Sequence, residues 1–318
     1  MATTTSISST YAGQDSALYV KAALLSGNTL SSGKVTILPN VKYKTVLHRL
    51  LTDSLLKDAS CDFTATSTVT LSEKVLIPKE LQVNLQLCKK DFHSTWEAES
   101  MGMSAHDVLP KNFSDYLIAY VLEKVSAQVE TAIWTGATGT SGSIDGFMTQ
   151  LTVDAALPAA NEVAGTTVTA SNVIAELGKI VDAIPATLYG REDLYLYISQ
   201  NIARAYVRAL GGFGASGLGA NGSNAQGTQW YQNLSDLSFD GVKIFVANGL
   251  ASNTAIATTA DNLFFATGLL NDANLCKVLD MSELDGSENV RFIMRATAAV
   301  GYHTVGDIVT YGITNSAN

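Results

Sequence analysis

Three places along the 318-residue chain hold residue types whose spacing could do chemistry. The first is Gly217-Leu218-Gly219-Ala220-Asn221-Gly222, which matches the G-x-G-x-x-G turn of dinucleotide-binding enzymes. That turn works between a strand and a helix, because the helix N-terminus holds the pyrophosphate. Here a helical pattern precedes it and a Ser/Asn/Gln-rich run follows, inside a stretch with seven glycines in residues 211–227. A chance match within a glycine-rich loop fits better. The second is "GNTLSSGKV" at 27–35, which resembles a phosphate loop. It has five residues between its glycines where four are needed, and Val35 replaces the magnesium-binding hydroxyl. The third is "DFHSTWEAE", which gathers Asp91, His93, Glu97 and Glu99. A fold that converged them would make an acid–base site; a solvated helix start is the simpler reading.

Nothing else in the sequence supplies a catalytic or metal pattern. His48, His93, His106 and His303 are far apart, with no second His or Cys at ligand spacing. No G-x-S-x-G nucleophile elbow is present. Cys61, Cys88 and Cys276 form no CxxC pair and are expected to be buried free thiols in a reducing compartment. No cofactor is implied.

The elements that must position any site are clearer. Residues 1–33 are rich in Ser, Thr, Ala and Gly and read as an extended arm, with a short helix over about 14–25. Residues 34–91 read mostly as strand: "KVTIL", "KYKTVL", "STVTLSEKVLI" and "LQVNLQLC" are rich in β-branched residues. Within them "HRLLTDSLLKD" reads as a helical turn. The long helix is expected at 112–134, where Phe113, Leu117, Val121, Val125, Val129 and Ala132 share one face, flanked by Ile118, Leu122 and Ile133. A second helix is expected over 171–184 and a third over 200–210, with the strand "LYLYI" between them. Strands then dominate, at 242–247, 262–267, 275–280, 290–295 and 303–312. This is an α+β pattern without internal repeats.

Composition narrows the function. Hydrophobic residues make up 47% and charged residues 15%, against about 25% charged in an average soluble domain. So little charge suggests that much surface is buried against partners. A net charge of −9 argues against a sequence-reading nucleic-acid binder. The charge is uneven: residues 34–91 hold 9 Lys/Arg and 6 Asp/Glu, the remainder 11 and 23. A basic segment on an acidic body suits docking onto a neighbouring copy. No membrane segment is expected, since Asn248, Gly249, Ser252, Asn253 and Thr254 break the uncharged stretch 244–260. Residues 1–33 lack the basic start of a signal peptide, and Lys21 interrupts their apolar run.

The order of elements, with "NFSDYLIAYVLEKVSAQVETAIWTG" leading into "ATGTSGSIDGFMTQL", "VTLSEKVLIPKELQVNLQLCKKDFHSTW" before it, and "VRFIMRATAAVGYHTVGDIVTYGI" closing the chain, resembles the major capsid protein of tailed bacteriophages, of the Hong Kong 97-type fold. The resemblance spans nearly the whole chain and rests on the ordered combination, not on one motif. It implies an N-terminal arm (1–33), an extended loop and strand (34–91), a spine helix with the first part of a peripheral domain (92–170), an axial domain (171–261) and the closing strands of the peripheral domain (262–318). It implies a non-enzymatic shell subunit that assembles with itself as hexamers and pentamers around double-stranded DNA. Portal, scaffold or decoration proteins would be further partners, and the location would be the virion, after assembly in the bacterial host cytoplasm.

On that reading the glycine-rich stretch becomes an axial tip loop, where copies meet around a symmetry axis. Residues 209–235 carry no charge, and like charges 4 Å apart repel by about 1 kcal/mol even in water. Gly211 and Gly217 would permit close approach. Asn221, Asn224 and Gln229 would hydrogen-bond between copies, and Trp230 and Tyr231 would anchor the loop. Lys42, Lys44, Arg49 and Lys57 of the extended loop would make inter-subunit contacts. No motif fixes partners for the Lys–Asn cross-link that some members of that family form. Two other readings stay open: an encapsulin-like nanocompartment of the same fold, and a soluble enzyme built around Asp91, His93 and Glu97.

Overall fold

The computed structural model describes residues 27–41, 43–52, 55–59, 61, 65, 68–88, 111–210, 237–268, 277–282 and 284–317, with backbone alone at 51, 52, 72 and 111–119. In chain order come β1 (Thr36–Leu38), β2 (Thr45–Thr52), β3 (Val69–Leu76), β4 (Lys79–Cys88), α1 (Lys111–Thr135), α2 (Phe147–Leu151), β5 (Glu162–Val163), α3 (Val173–Asp182), β6 (Leu194–Ile198) and α4 (Gln200–Leu210). They are followed by β7 (Ser238–Phe239), β8 (Val242–Val246), β9 (Ala255–Thr259), β10 (Leu263–Thr267), β11 (Lys277–Asp280), β12 (Asn289–Tyr302) and β13 (Val309–Tyr311). The α+β expectation holds. The expected helix at 14–25 lies outside the described residues.

Three sheets organise these elements. One has six strands in the order β5-β13-β9-β6-β8-β7. Its centre, "LYLYI", is buried on both faces because successive side chains alternate between two cores. Leu194, Leu196 and Ile198 meet α3 and α4 through Leu177, Ile180, Ile202 and Tyr206. Tyr197 points the other way, into a second core with Trp134, Phe147, Ile256 and Leu263. The second sheet runs β1-β10-β12-β11, with β4 also paired to the 14-residue β12. The third is the two-stranded hairpin β2–β3.

The long α1 joins both ends of the molecule. Near its middle, Val121 and Val125 pack on Phe292, Met294, Val83 and Leu87 of the β4–β12 ribbon. At its C-terminal end, Ile133 and Trp134 are fully buried. The Trp134 ring lies 5.3 Å from Phe147 and 5.4 Å from Tyr197, centroid to centroid. The expected apolar face is therefore right at Val121, Ala132 and Ile133, whereas Leu122 is 42% exposed. Phe113, Leu117 and Ile118 fall where the backbone alone is described. Gly136 follows the helix because a Cβ there would stand 2.3 Å from the Ile144 carbonyl oxygen.

Several expectations need correction. "HRLL" is strand, not a helical turn: it forms half of β2 and pairs with β3 from Thr45↔Leu76 to Thr52↔Val69. A partner some twenty residues away supplies the ladder and overrides the local Leu spacing. Cys61 is exposed and Cys88 half-buried, so neither is the buried thiol expected; Cys276 lies outside the described residues. Among the described residues no helix is long and apolar enough to cross a membrane.

The aromatic junction sets the first prediction. Trp134→Ala removes a ring with no exposed surface and is expected to cost about 3–5 kcal/mol, read as a lowered midpoint in urea unfolding.

Candidate assembly interface

The hairpin is a ribbon with two unlike faces. In an antiparallel pair, directly opposed residues share a face. One face carries Leu47 and Arg49 opposite Lys74 and Ser72. Its base packs on the body, with Leu76 buried among Val41, Ala266 and Ala299. The other face carries the pairs Val46↔Val75, His48↔Glu73, Leu50↔Leu71 and Thr52↔Val69. Its apolar members are all exposed: Leu50 and Leu71 at 65%, Val69 at 60%, Val75 at 43% and Val46 at 40%. Five large aliphatic side chains in one stripe would each gain roughly 1 kcal/mol on being covered, about half of a full burial. Isolated exposed leucines are ordinary, but five aliphatics on one ribbon face, interrupted only by the His48↔Glu73 pair, mark a contact surface.

Two polar pins fix the ribbon's angle. Lys74 Nζ donates to Asp154 Oδ2 at 3.1 Å and lies 3.2 Å from the Tyr302 ring centroid. Tyr302 donates its hydroxyl to the same carboxylate at 2.5 Å. On the strand side, His303 Nε2 lies 2.6 Å from the His48 carbonyl oxygen and donates to it. Burial alone would raise the Asp154 carboxyl, but the Tyr302 O–H, the Ala156 N–H and Lys74 together hold it below its ordinary value. Burial lowers Lys74 and the carboxylate offsets this only in part. The two shifts pull oppositely on the pair: the ammonium is less stable than in water, and the carboxylate is more stable.

A second surface lies on the outward side of the five-stranded sheet. Arg291, Arg295 and Lys277 are exposed there, and Arg291 Nε donates to Gln86 Oε1 at 3.1 Å. An open groove of about 710 Å³ runs beside them, lined by Lys79, Glu80, Gln82, Arg295 and the 141–142 turn. Among the described residues no group of three or more His, Cys, Asp or Glu could hold a metal ion.

The residues singled out by sequence fare unevenly. Lys44 is exposed just before β2, its Nζ 5.3 Å from the Tyr43 ring centroid. Arg49 is half-buried on the Lys74 face, and Lys57 is exposed in the loop between β2 and β3. They do not converge. Lys42 lies outside the described residues, as do Asp91, His93, Glu97 and Glu99, and the whole tip loop: Gly211, Gly217, Asn221, Asn224, Gln229, Trp230 and Tyr231. The charge pattern missed the apolar stripe. The alternation Val46-x-His48-x-Leu50, set against Val69-x-Leu71-x-Glu73-x-Val75, is the signal that carries it.

No family model and no curated protein matches the sequence. Solved structures do match. The capsid of a native GTA particle aligns over 93% of both chains with a TM-score of 0.61 at 15% identity. The capsid of Myoviridae phage XM1 aligns over 94% of this chain and 95% of its own, with a TM-score of 0.57 at 12% identity. Mycobacterium phage Bobi gives 96% and 95%, with a TM-score of 0.55 at 14% identity. This chain has a phage-capsid fold. Identity this low carries the fold alone, so the capsid fold was legible through element order and not through any shared motif.

The pins give a prediction with a definite sign. Asp154 titrates below its ordinary value in the folded chain, so its contribution is present above the ordinary carboxylate range, about pH 3.9, and is lost as pH falls through the lowered value. Hairpin amides are expected to lose hydrogen-exchange protection on that acidification. Asp154→Asn is expected to lose about 1.5–3 kcal/mol at neutral pH, the worth of a hydrogen bond to a charged group, measured by urea unfolding.

Proposed function

We propose that this chain is the major capsid protein of a tailed bacteriophage, building a closed icosahedral shell around packaged double-stranded DNA. The observation that carries the reading is the hairpin's exposed apolar stripe, in a chain whose fold is matched by capsids over nearly its full length. A stripe of five exposed aliphatics on a projecting ribbon needs a covering surface, and a second copy of the chain is the partner that a shell supplies.

In this proposal α1 is the spine, the sheet around β12 with the closing strands is the peripheral domain, and residues 171–261 are the axial domain. Residues 211–232 gather around the axes of hexamers and pentamers. The hairpin lies across the adjoining subunit. Many modest contacts, repeated by closed symmetry, make the shell stable, because each subunit is held by several neighbours at once. Portal, scaffold and decoration proteins join the same assembly, in the bacterial host cytoplasm, and the finished location is the virion. The acidic balance of the chain leaves DNA held loosely and without sequence preference.

The full-length chain, expressed alone or with its neighbouring genes, is expected to form shells or rings of five and six, seen as particle mass and in negative-stain images. Leu50→Thr with Leu71→Thr is expected to abolish those particles while leaving the circular dichroism of the subunit unchanged, since both side chains are solvent-exposed in the single chain and a directly opposed Thr–Thr pair suits a strand ladder. Particles with the double variant at wild-type yield would sink the role of the stripe. A uniform monomer under every condition would sink the shell. Shells enclosing a protein cargo in place of DNA would move the reading to a nanocompartment.

A further inference from the structure

Two carboxylates are deeply buried among the described residues, Glu176 and Glu130. Glu176 is paired with Lys179 at 2.8 Å. Glu130, 2% exposed on α1, has no cation and no charged neighbour acting on it among the described residues. An ion without a counter-ion is costly to bury, so what holds it there is informative. Its Oε2 accepts the Thr29 backbone N–H at 3.1 Å, and its Oε1 accepts the Thr29 hydroxyl. The Gly249 N–H donates to the same carboxylate. Thr29 is itself fully buried, and its hydroxyl oxygen accepts Trp134 Nε1–H at 2.8 Å.

The arrangement ties one short segment to the body. Next to Thr29, Asn28 Nδ2 donates to the Val246 carbonyl at 2.7 Å. Gly27 sits so close to α1 that a Cβ would stand 2.5 Å from Ser126 Oγ. Gly249 is closer still, since its Cβ would stand 2.2 Å from the Glu130 carbonyl oxygen. Among the described residues, the groups that face Glu130 are thus Gly27 and Thr29 from the segment before β1, Trp134 from α1, and Gly249 from the turn after β8. None of them carries a charge or titrates near neutrality.

We propose that Glu130 is a proton-controlled latch that fastens residues 27–38 to the body of the subunit. The carboxyl faces only donors, which favour the ionised form, and an apolar surround, which favours the neutral one. Burial is the larger effect, and the carboxyl titrates above its ordinary value despite the hydrogen bonds from Thr29 and Gly249. In an opened segment Glu130 meets water and returns to the ordinary value, about 4.3. The closed latch therefore holds the proton more tightly than the open one. It is firmest at low pH and loosens as pH rises through the closed-state value, by up to about tenfold per pH unit for one proton.

Site-resolved hydrogen exchange on the full chain, corrected for the intrinsic pH dependence of exchange, tests this without requiring shells to form. As pH rises above the ordinary carboxylate value, about 4.3, amide protection at 29–32 is expected to fall with a slope of up to about tenfold per unit and then level off, while α3 amides keep theirs. Glu130→Gln keeps the shape and removes the proton, so its profile is expected to be flat. Thr29→Val strips one donor from the ionised form and is expected to extend the fall to higher pH; Thr29→Ser restores the wild-type profile. A flat wild-type profile, a Glu130→Gln chain that keeps the slope, or a Thr29→Val chain whose fall ends where the wild type's does would each overturn the latch.

Discussion

The contact between Trp134 and Tyr197 is the constraint on which the rest of the molecule depends. Tyr197 belongs by backbone to the six-stranded sheet and by ring to the core behind it. Trp134 ends the long helix in that same core, with Phe147 on its flank. Neither ring has measurable exposure. The Tyr197 hydroxyl, donating to the Lys34 carbonyl at 2.6 Å, also pins the chain just before β1. Helix, both large sheets and the N-terminal segment therefore meet at one seam of interlocked rings. Close-packed interiors transmit displacement and do not absorb it, so elements that leave the seam leave it at fixed angles. The hairpin and the β4–β12 ribbon are cantilevers built on that seam.

How much of this could be read in advance depends on where each element finds its partner. The helices at 173–182 and 200–210 and the strand "LYLYI" were legible, because periodicity and burial are local signals there. β12 was seen only as "VRFIMR", since its second half, "ATAAVGY", is small and poorly β-branched; pairing with β4 and then β10 keeps it extended. β9, "AIATT", went unnoticed for the same reason, although it lies between β6 and β13 at the middle of its sheet. The leucines of "HRLL" imitate a helical turn until β3 is laid beside them.

The site was harder still. Lys44, Arg49 and Lys57 were picked out by charge, yet they scatter over the ribbon, and the feature that gathers on one face is the apolar stripe. That stripe exists only once two strands are in register, so neither strand reveals it alone. Glu130 gave no signal at all: a glutamate on a helix is expected in water, and only the three-dimensional packing of Thr29 and Gly249 places it in the interior.

Among the described residues, the six-stranded sheet ends on both sides in strands of two residues, β5 and β7. A sheet margin is a row of unsatisfied backbone donors and acceptors, able to template any passing extended segment without regard to its side chains. Margins this short offer too few such groups for a ladder to propagate. For a chain this rich in apolar residues, that matters as much as adhesion does. Growth by backbone pairing has no natural stopping point, whereas growth through shaped side-chain surfaces can close on itself. The brevity of β5 and β7 thus separates ordered association from fibrous association.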